Sequence, residues 1–336
     1  MSTLAVDSLA AVVRGATAVV PVGGGTHREV GGPVPDGVEV RAPAGVVAYD
    51  PAELTVTVGA GTTVAALDAV LRAAGQMCPL DPRDSDATVG GVLASGLSGI
   101  RRLRYGPVRD AVLETRTVTA DGRRVRGGAP VVKNVTGYDL PRLLVGSLGT
   151  LAVIVQATLR CRPVPEVAVW ARTTEEPDRV RERVAAPSAL LCDGVATSVL
   201  LEGNARDVDV QVAALGSSPV PDAPARVTLP VGPHRGRISV RPGALSAVGR
   251  DLDAIPGCRW LAEGGVGTVH VATDTVDALS AARAAANGSG GWLLREAGGG
   301  DAFDGFGRAL PDLAVARRLK HAFDPTGKLS PGRLPL

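Results

Sequence analysis

Paired cysteines are missing from this chain. Cys78, Cys161, Cys192 and Cys258 stand far apart and form no CxxC, so neither a zinc knuckle nor an iron-sulfur cluster finds its ligands here. Reduced thiols in a cytoplasmic protein fit that pattern. Long apolar runs are missing as well: nothing approaches the roughly 18 uninterrupted apolar residues of a membrane span. No basic segment leading into an apolar one opens the chain, so no export signal is expected. Charge of one sign is not in excess, since 36 Lys and Arg against 34 Asp and Glu leave a formal charge of +2. That balance gives no footprint for nucleic acid or an acidic membrane surface. Lysine is nearly absent, with only Lys133, Lys320 and Lys328 among the 36 cations. The arginine bias reads as genome composition rather than function.

The chain has 336 residues, of which 45% are hydrophobic, enough for two domains with a core each. Ala18 to Val22 reads as a short strand running into Gly23-Gly24-Gly25-Thr26. Leu54 to Val58 reads as a second strand before Gly59-Ala60-Gly61. Thr62 or Thr63 then caps a helix with Val64, Leu67, Val70 and Leu71 at helical spacing and Gly75 at its end. Val112 to Thr119 and Arg123 to Arg126 flank Asp121-Gly122, a hairpin dipeptide. Leu151 to Leu159 predicts a long buried strand with Leu151, Val153, Val155, Ala157 and Leu159 on one face. Pro163 and Pro165 mark the first domain boundary. Beyond it, strands around Val195 to Leu201, Arg237 to Val240 and Val266 to Val271 mix with helices near Val180 to Val184 and Val276 to Ala286.

Three glycines and a threonine after a strand can turn several backbone N–H groups toward one point, a nest suited to a diphosphate. A Rossmann unit would need GxGxxG, but the sixth position is Arg28 counting from Gly23 and Val64 counting from Gly59. A P-loop is excluded because Gly327-Lys328 runs into Leu329 and lacks the first glycine. A second glycine-rich stretch runs from Asp86-Ala87-Thr88-Val89-Gly90-Gly91 through Ser95 to Gly99, followed by Tyr105-Gly106 and Arg109-Asp110. In the stretch from Val132 to Ile154, Asp139 is placed to cap a short helix with Pro141 in its first turn, and Gly146-Ser147 to end it.

These segments resemble the flavoproteins of the vanillyl-alcohol oxidase type. Val132-Lys133-Asn134-Val135-Thr136-Gly137-Tyr138-Asp139-Leu140 through Gly146-Ser147-Leu148-Gly149-Thr150-Leu151 is similar to that family's KNVTGYDL…LLVGSxGTLGVI stretch. Leu148 stands where the family has Glu, and Ala152 where it has glycine. Asp324-Pro325-Thr326-Gly327 to Pro331-Gly332-Arg333 resembles its closing FDPxGxLNPGR segment. Leu313, Ala316, Leu319 and Phe323 before it share a helical face that serves packing. Gly75-Gln76-Met77-Cys78-Pro79 and Gly99-Ile100-Arg101-Arg102 are similar to the FAD-binding E subunits of glycolate oxidase within that family.

The resemblance implies an α+β fold: a PCMH-type FAD-binding domain of two α+β subdomains over 1–165, and a smaller α+β cap over 166–311. A C-terminal segment, 312–336, returns to the FAD domain. It implies an FAD-dependent oxidoreductase acting on CH–OH groups, a subunit of a hetero-oligomer that oxidises a small 2-hydroxy acid such as glycolate. A second flavoprotein subunit and an iron-sulfur subunit are the implied partners, the latter receiving electrons. The location is then cytoplasmic, or at the inner face of the cell membrane through those partners. FAD would be held by Gly23, Gly24, Gly25, Thr26, Pro82, Thr88, Gly90, Gly91, Ser95 and Gly99, with Gly149 and Ile154 on the adenine side.

Catalytic subunits of the family carry an HxHxGxxxxH motif that this chain lacks. His270, after Gly264-Gly265-Val266-Gly267, is the one candidate catalytic residue, with a core or rim role as its plain alternative. Arg241, Arg259 and Arg295 are candidate carboxylate binders, although 33 arginines make any single choice weak. His27, next to the first loop, and Cys78, before the second, could form flavin–protein bonds like those in some relatives of the fold, although this branch normally holds FAD noncovalently. An autonomous dehydrogenase of another hydroxy acid and a flavin-free scaffold are the alternatives, and the retained glycines argue against the second.

Overall fold

The computed structural model describes residues 3–32, 36–131, 138–216, 228–300, 303–307 and 312–336. In chain order the first half comprises α1 (Thr3–Gly15), β1 (Val19–Pro21), β2 (Val38–Val40), β3 (Val46–Asp50), β4 (Thr55–Gly59) and α2 (Val64–Ala73). There follow β5 (Gln76–Met77), α3 (Val89–Ser95), α4 (Arg102–Tyr105), β6 (Val112–Val118), β7 (Arg124–Gly128), α5 (Leu140–Leu144), β8 (Val153–Arg160) and β9 (Arg162–Pro163). The second half holds β10 (Val167–Thr173), α6 (Pro177–Arg183), β11 (Ala189–Cys192), β12 (Thr197–Gly203), α7 (Ala205–Ala214), β13 (His234–Ser239) and α8 (Leu245–Asp253). It ends with β14 (Cys258–Glu263), β15 (Thr268–Thr273), α9 (Val276–Gly288), β16 (Trp292–Ala297) and α10 (Leu313–Phe323).

β1 and β2 pair in parallel, and an antiparallel sheet of order β3-β4-β8-β6-β7 stands beside them. The local signals hold. Thr63 accepts from the Ala66 N–H at the start of α2, and Gly75 takes φ +68° just past its end. Gly122 takes φ +78° in the β6–β7 turn, where the Asp121 carboxylate accepts from Arg123 N–H.

β8 departs from the expected single face. Opposite β6 the register jumps from Arg116↔Gln156 to Thr117↔Ile154, so Val155 is an extra residue. A bulge of one residue reverses side-chain alternation beyond it. Val153 and Val155 therefore pack with Val6, Leu9 and Val13 of α1, whereas Ala157 and Leu159 join Leu67, Leu71 and Leu93 in a second core. One strand thus serves both cores, which a period of two cannot express.

The second half builds a seven-stranded antiparallel sheet of order β10-β12-β11-β14-β15-β13-β16. Ile238, Val269, Val271 and Leu293 on one face pack against Val248 and Leu252 of α8 and Leu279 and Ala282 of α9. The opposite face meets the segment after α3, since Leu191, Leu200 and Leu261 contact Ile100. At that seam Arg101 donates to Asp81 at 2.7 Å and to Glu202 of β12 at 3.0 Å, and Tyr105 Oη donates to Glu202 at 3.2 Å.

The C-terminal segment returns to the first half. Leu319 and Phe323 lie against the second core, and Leu329 enters the first beside Val19. Lys320 Nζ donates to the carbonyls of Thr150 at 2.7 Å and Leu329 at 2.9 Å, and to Asp324 at 2.7 Å. Burial opposes the charge on Asp324, but the Lys320 ammonium and the N–H groups of Leu329 and Lys328 outweigh it and hold the carboxyl below its ordinary range. A carboxyl with a depressed folded-state pKa stabilises above its unfolded pKa and loses that contribution as pH falls through the folded value. Wild-type stability is therefore expected to fall more steeply than that of Asp324→Asn as pH drops below about 4. Urea midpoints at pH 7 and pH 3 measure it, and parallel pH profiles for the two proteins would refute it.

Candidate functional site

β1 delivers the chain to the first loop. The Val22 N–H still bonds the Val40 carbonyl at 2.9 Å, after which the pairing stops. Among the described residues, the N–H groups of Gly23, Gly24, Gly25, Thr26 and His27 find no acceptor. Five consecutive unpaired donors in a concave turn form an anion cradle, because orphaned N–H groups are costly unless a ligand accepts from them.

The second loop locks against the first. A Cβ on Gly24 would meet the Asp86 carbonyl oxygen at 1.9 Å, and one on Gly23 would meet Thr88 Oγ1 at 2.0 Å. Thr88 Oγ1 in turn caps α3 by accepting from the Gly91 N–H at 3.2 Å. Two loops in contact through backbone leave no space for side chains, which is the physical demand for glycine here.

Three adjoining cavities follow from these loops. A 60 Å³ cavity is bordered by Gly23, Thr88, Gly90, Gly91, Gly149 and Ile154. A 90 Å³ cavity adds Gly24, Gly25, Thr26, His27 and Ser95. Thr26 and His27 also border the third, of 560 Å³, which Pro82 and Gly99 line from below and the seven-stranded sheet covers through Arg235, Arg237 and His270. Every glycine, threonine, serine, proline and isoleucine expected to hold FAD lies on this trench. Arg333 reaches the wall of the middle cavity, bonding the Gly32 carbonyl at 2.8 Å. Burial brings its guanidinium down to about 10, which leaves it charged at neutral pH. Leu148, in place of the family's Glu, borders the same cavity with φ +52°, a left-handed conformation that costs a non-glycine residue about 1–2 kcal/mol. The expected stretch 132–137 lies outside the described residues.

The large cavity carries the remaining chemistry. His270 Nε2 lies 2.6 Å from Glu263 Oε1, both side chains buried, and His270 Nδ1 has no hydrogen-bond partner. Arg237 sits across from His270 in the β13–β15 register, and both its terminal nitrogens donate to the Ser98 carbonyl at 3.1 Å. Arg235, two residues earlier on the same face, has no side-chain acceptor among the described residues, and its Nε is buried without one. Burial lowers the His27 pKa, more than the carboxylates of Glu296 and Asp84 raise it, so the ring is neutral at pH 7.

Arg241, Arg259 and Arg295 are not on this wall. Arg259 pairs with Asp274 at 2.7 Å on the surface, and Arg295 donates to the Gly300 carbonyl at 2.7 Å. Arg235 and Arg237 stand in their place, and the signal for them was an arginine pair spaced by two on a strand. Cys78 is 3% exposed inside the core under α2, and burial holds its thiol well above the ordinary value. His27, by contrast, faces two of the cavities.

A glycine cradle running into a cavity roofed by a second antiparallel sheet defines an FAD-binding fold of the PCMH type. Residues 5–128 match the FAD binding domain family. The glycolate oxidase subunit GlcE of Escherichia coli (strain K12) is 32% identical over 311 residues, covering 88% of this chain and 86% of that protein. This chain belongs to the GlcE family of FAD-binding proteins. The subunit GlcD of Bacillus subtilis (strain 168) is 36% identical over 122 residues, 36% of this chain and 26% of that one. A solved structure of alkyldihydroxyacetonephosphate synthase superposes with a TM-score of 0.68 at 17% identity, over 97% of this chain and 74% of that one, and shows the shared fold.

Proposed function

We propose that this chain is the FAD-binding subunit of a glycolate oxidase-type dehydrogenase complex, oxidising a small 2-hydroxy acid to the 2-oxo acid. Residues 1–165 and 312–336 hold the cofactor, and 166–311 form the substrate-side cap. Bound FAD supplies the two-electron acceptor for the hydride on the substrate's α-carbon. The chain's own residues then have two tasks, to hold the carboxylate and to take the hydroxyl proton.

Arg235 carries the proposal, a cation without a protein partner on the wall of the cavity that continues the FAD cradle. A planar guanidinium suits a carboxylate, and placing it opposite the cradle orients the α-carbon toward the flavin end. The hydroxyl proton goes to His270 Nδ1, the ring nitrogen left without a hydrogen bond, while Glu263, 2.6 Å from Nε2, fixes the ring's orientation. Electrons leave through an iron-sulfur partner, and a second flavoprotein subunit completes the complex. The site of action is cytoplasmic, at the membrane only through those partners.

In the reconstituted complex, Arg235→Met is expected to raise the KM for glycolate on the order of a hundredfold while retaining bound FAD. His270→Gln is expected to lower kcat by about 10²–10⁴. Unchanged kinetics in both variants would overturn the site assignment. Vigorous glycolate turnover by this chain alone would overturn its assignment as a subunit.

A further inference from the structure

A fourth cavity shares the Leu97–Ser98 backbone with the large one and borders Ser95 and Leu148 of the 90 Å³ one. It measures 290 Å³ and is lined by Arg102 and Arg109 and, from β13 and β16 of the seven-stranded sheet, by Arg237, Trp292 and Leu294, with Phe306 beside them. No acidic side chain lines it, whereas Asp68, Asp81, Asp84 and Glu296 all line the large flavin-side cavity.

The nearest carboxylates are already shared: Glu263 lies 3.8 Å from Arg237. Glu263 bonds His270 at 2.6 Å, and Asp110 pairs with Arg142 at 3.1 Å. Among the described residues, neither the Arg102 nor the Arg109 side chain makes a hydrogen bond or ion pair. Burial, with Arg237 and Arg109 adding repulsion, lowers the Arg102 pKa despite the opposing pull of Glu263 and Asp110. Of the three guanidinium groups only Arg237 has a carboxylate within reach among the described residues, Glu263 at 3.8 Å, so Arg102 and Arg109 repel one another in a half-buried site and a bound anion would relieve that.

We infer that this cavity is a second ligand site, taking a small organic carboxylate with a short apolar or aromatic tail. The carboxylate sits between Arg102 and Arg109 with Arg237 as the floor, and the tail lies against Trp292 and Phe306. Its volume matches a ligand of that size at the lower end of small-molecule pockets. Arg237 joins this site to the flavin side, since its terminal nitrogens hold the Ser98 carbonyl that separates the two cavities. The inference does not rest on the proposed reaction, because it needs no turnover.

Benzoate is the probe, with uncharged benzamide as its isostere and Trp292 fluorescence as the readout on the FAD-loaded protein. Benzoate is expected to change the fluorescence saturably and benzamide not, with the signal lost in Trp292→Phe. Arg102→Gln and Arg109→Gln, at positions with no structural partner, are each expected to weaken binding at least tenfold, about 1.4 kcal/mol. Arg235→Met is expected to leave binding unchanged. Equal response to benzamide, a signal surviving in Trp292→Phe, or affinity unaltered by both arginine variants would overturn the site. Loss of binding in Arg235→Met instead would place the probe in the flavin-side cavity and equally overturn it, without bearing on glycolate turnover.

Discussion

Gly24→Ala is expected to purify as a folded but colourless protein. The added Cβ would sit 1.9 Å from the Asp86 carbonyl oxygen and 2.8 Å from its carbon. Both are backbone atoms, so no side chain can swing aside, and the two loops must separate. Separation moves Thr88 from the Gly91 N–H it accepts from at 3.2 Å and scatters the unpaired N–H groups of residues 23–27. Hydrogen bonds to a charged group contribute about 1.5–3 kcal/mol each, so misaligning two of them lowers FAD affinity by a hundredfold or more. Gly243→Ala is the control, because a Cβ there meets nothing within 4 Å. The ratio of 450 nm to 280 nm absorbance measures both, and a Gly24→Ala protein with full flavin content would show that the cradle lies elsewhere.

Glu202→Leu is expected to give the largest loss of stability at the seam between the two halves. Glu202 is 5% exposed and accepts from Arg101 at 3.0 Å and from Tyr105 at 3.2 Å. Removing one member of a buried pair leaves the other charge uncompensated, typically at about 3–5 kcal/mol. Asp81 remains bonded to Arg101 at 2.7 Å, which places the expected loss near the lower end. Glu202→Gln keeps the shape and one acceptor oxygen, so its loss is smaller. Guanidinium denaturation of the three proteins ranks them, and a Glu202→Leu protein within about 1 kcal/mol of wild type would mean the seam rests on its apolar contacts alone.

Much of the cofactor half was legible because its signals are local. Thr63 caps the helix that follows it, Gly122 makes the hairpin turn, and Asp139 accepts from Arg142 N–H at 3.2 Å in front of α5. Each depends on residues two to four apart, a distance at which side-chain type and backbone geometry are tightly coupled. The cap half was less legible. Its helix α9 and strand β15 matched the expected places, yet β10, β11, β14 and β16 carried no distinct signal. β10 and β16 are partly exposed strands at the two edges of the sheet, and scattered Gly and Pro blur the ends of short strands.

The sequence by itself determined the close contact of the two glycine-rich loops, since a Cβ at 24 would stand 1.9 Å from the Asp86 carbonyl oxygen and one at 23 would stand 2.0 Å from Thr88 Oγ1. It also determined that iron-sulfur chemistry has no paired-cysteine site in this chain. Tertiary structure decided which cations count. Arg235 and Arg237 of β13 face the trench while Arg259 and Arg295 turn to Asp274 and Gly300, and 33 arginines look alike until strand register assigns each a face. It also decided the split of β8 between two cores, because one extra residue opposite β6 reverses every side chain beyond it. Register and facing arise from pairings between segments tens to hundreds of residues apart, and no local pattern encodes those.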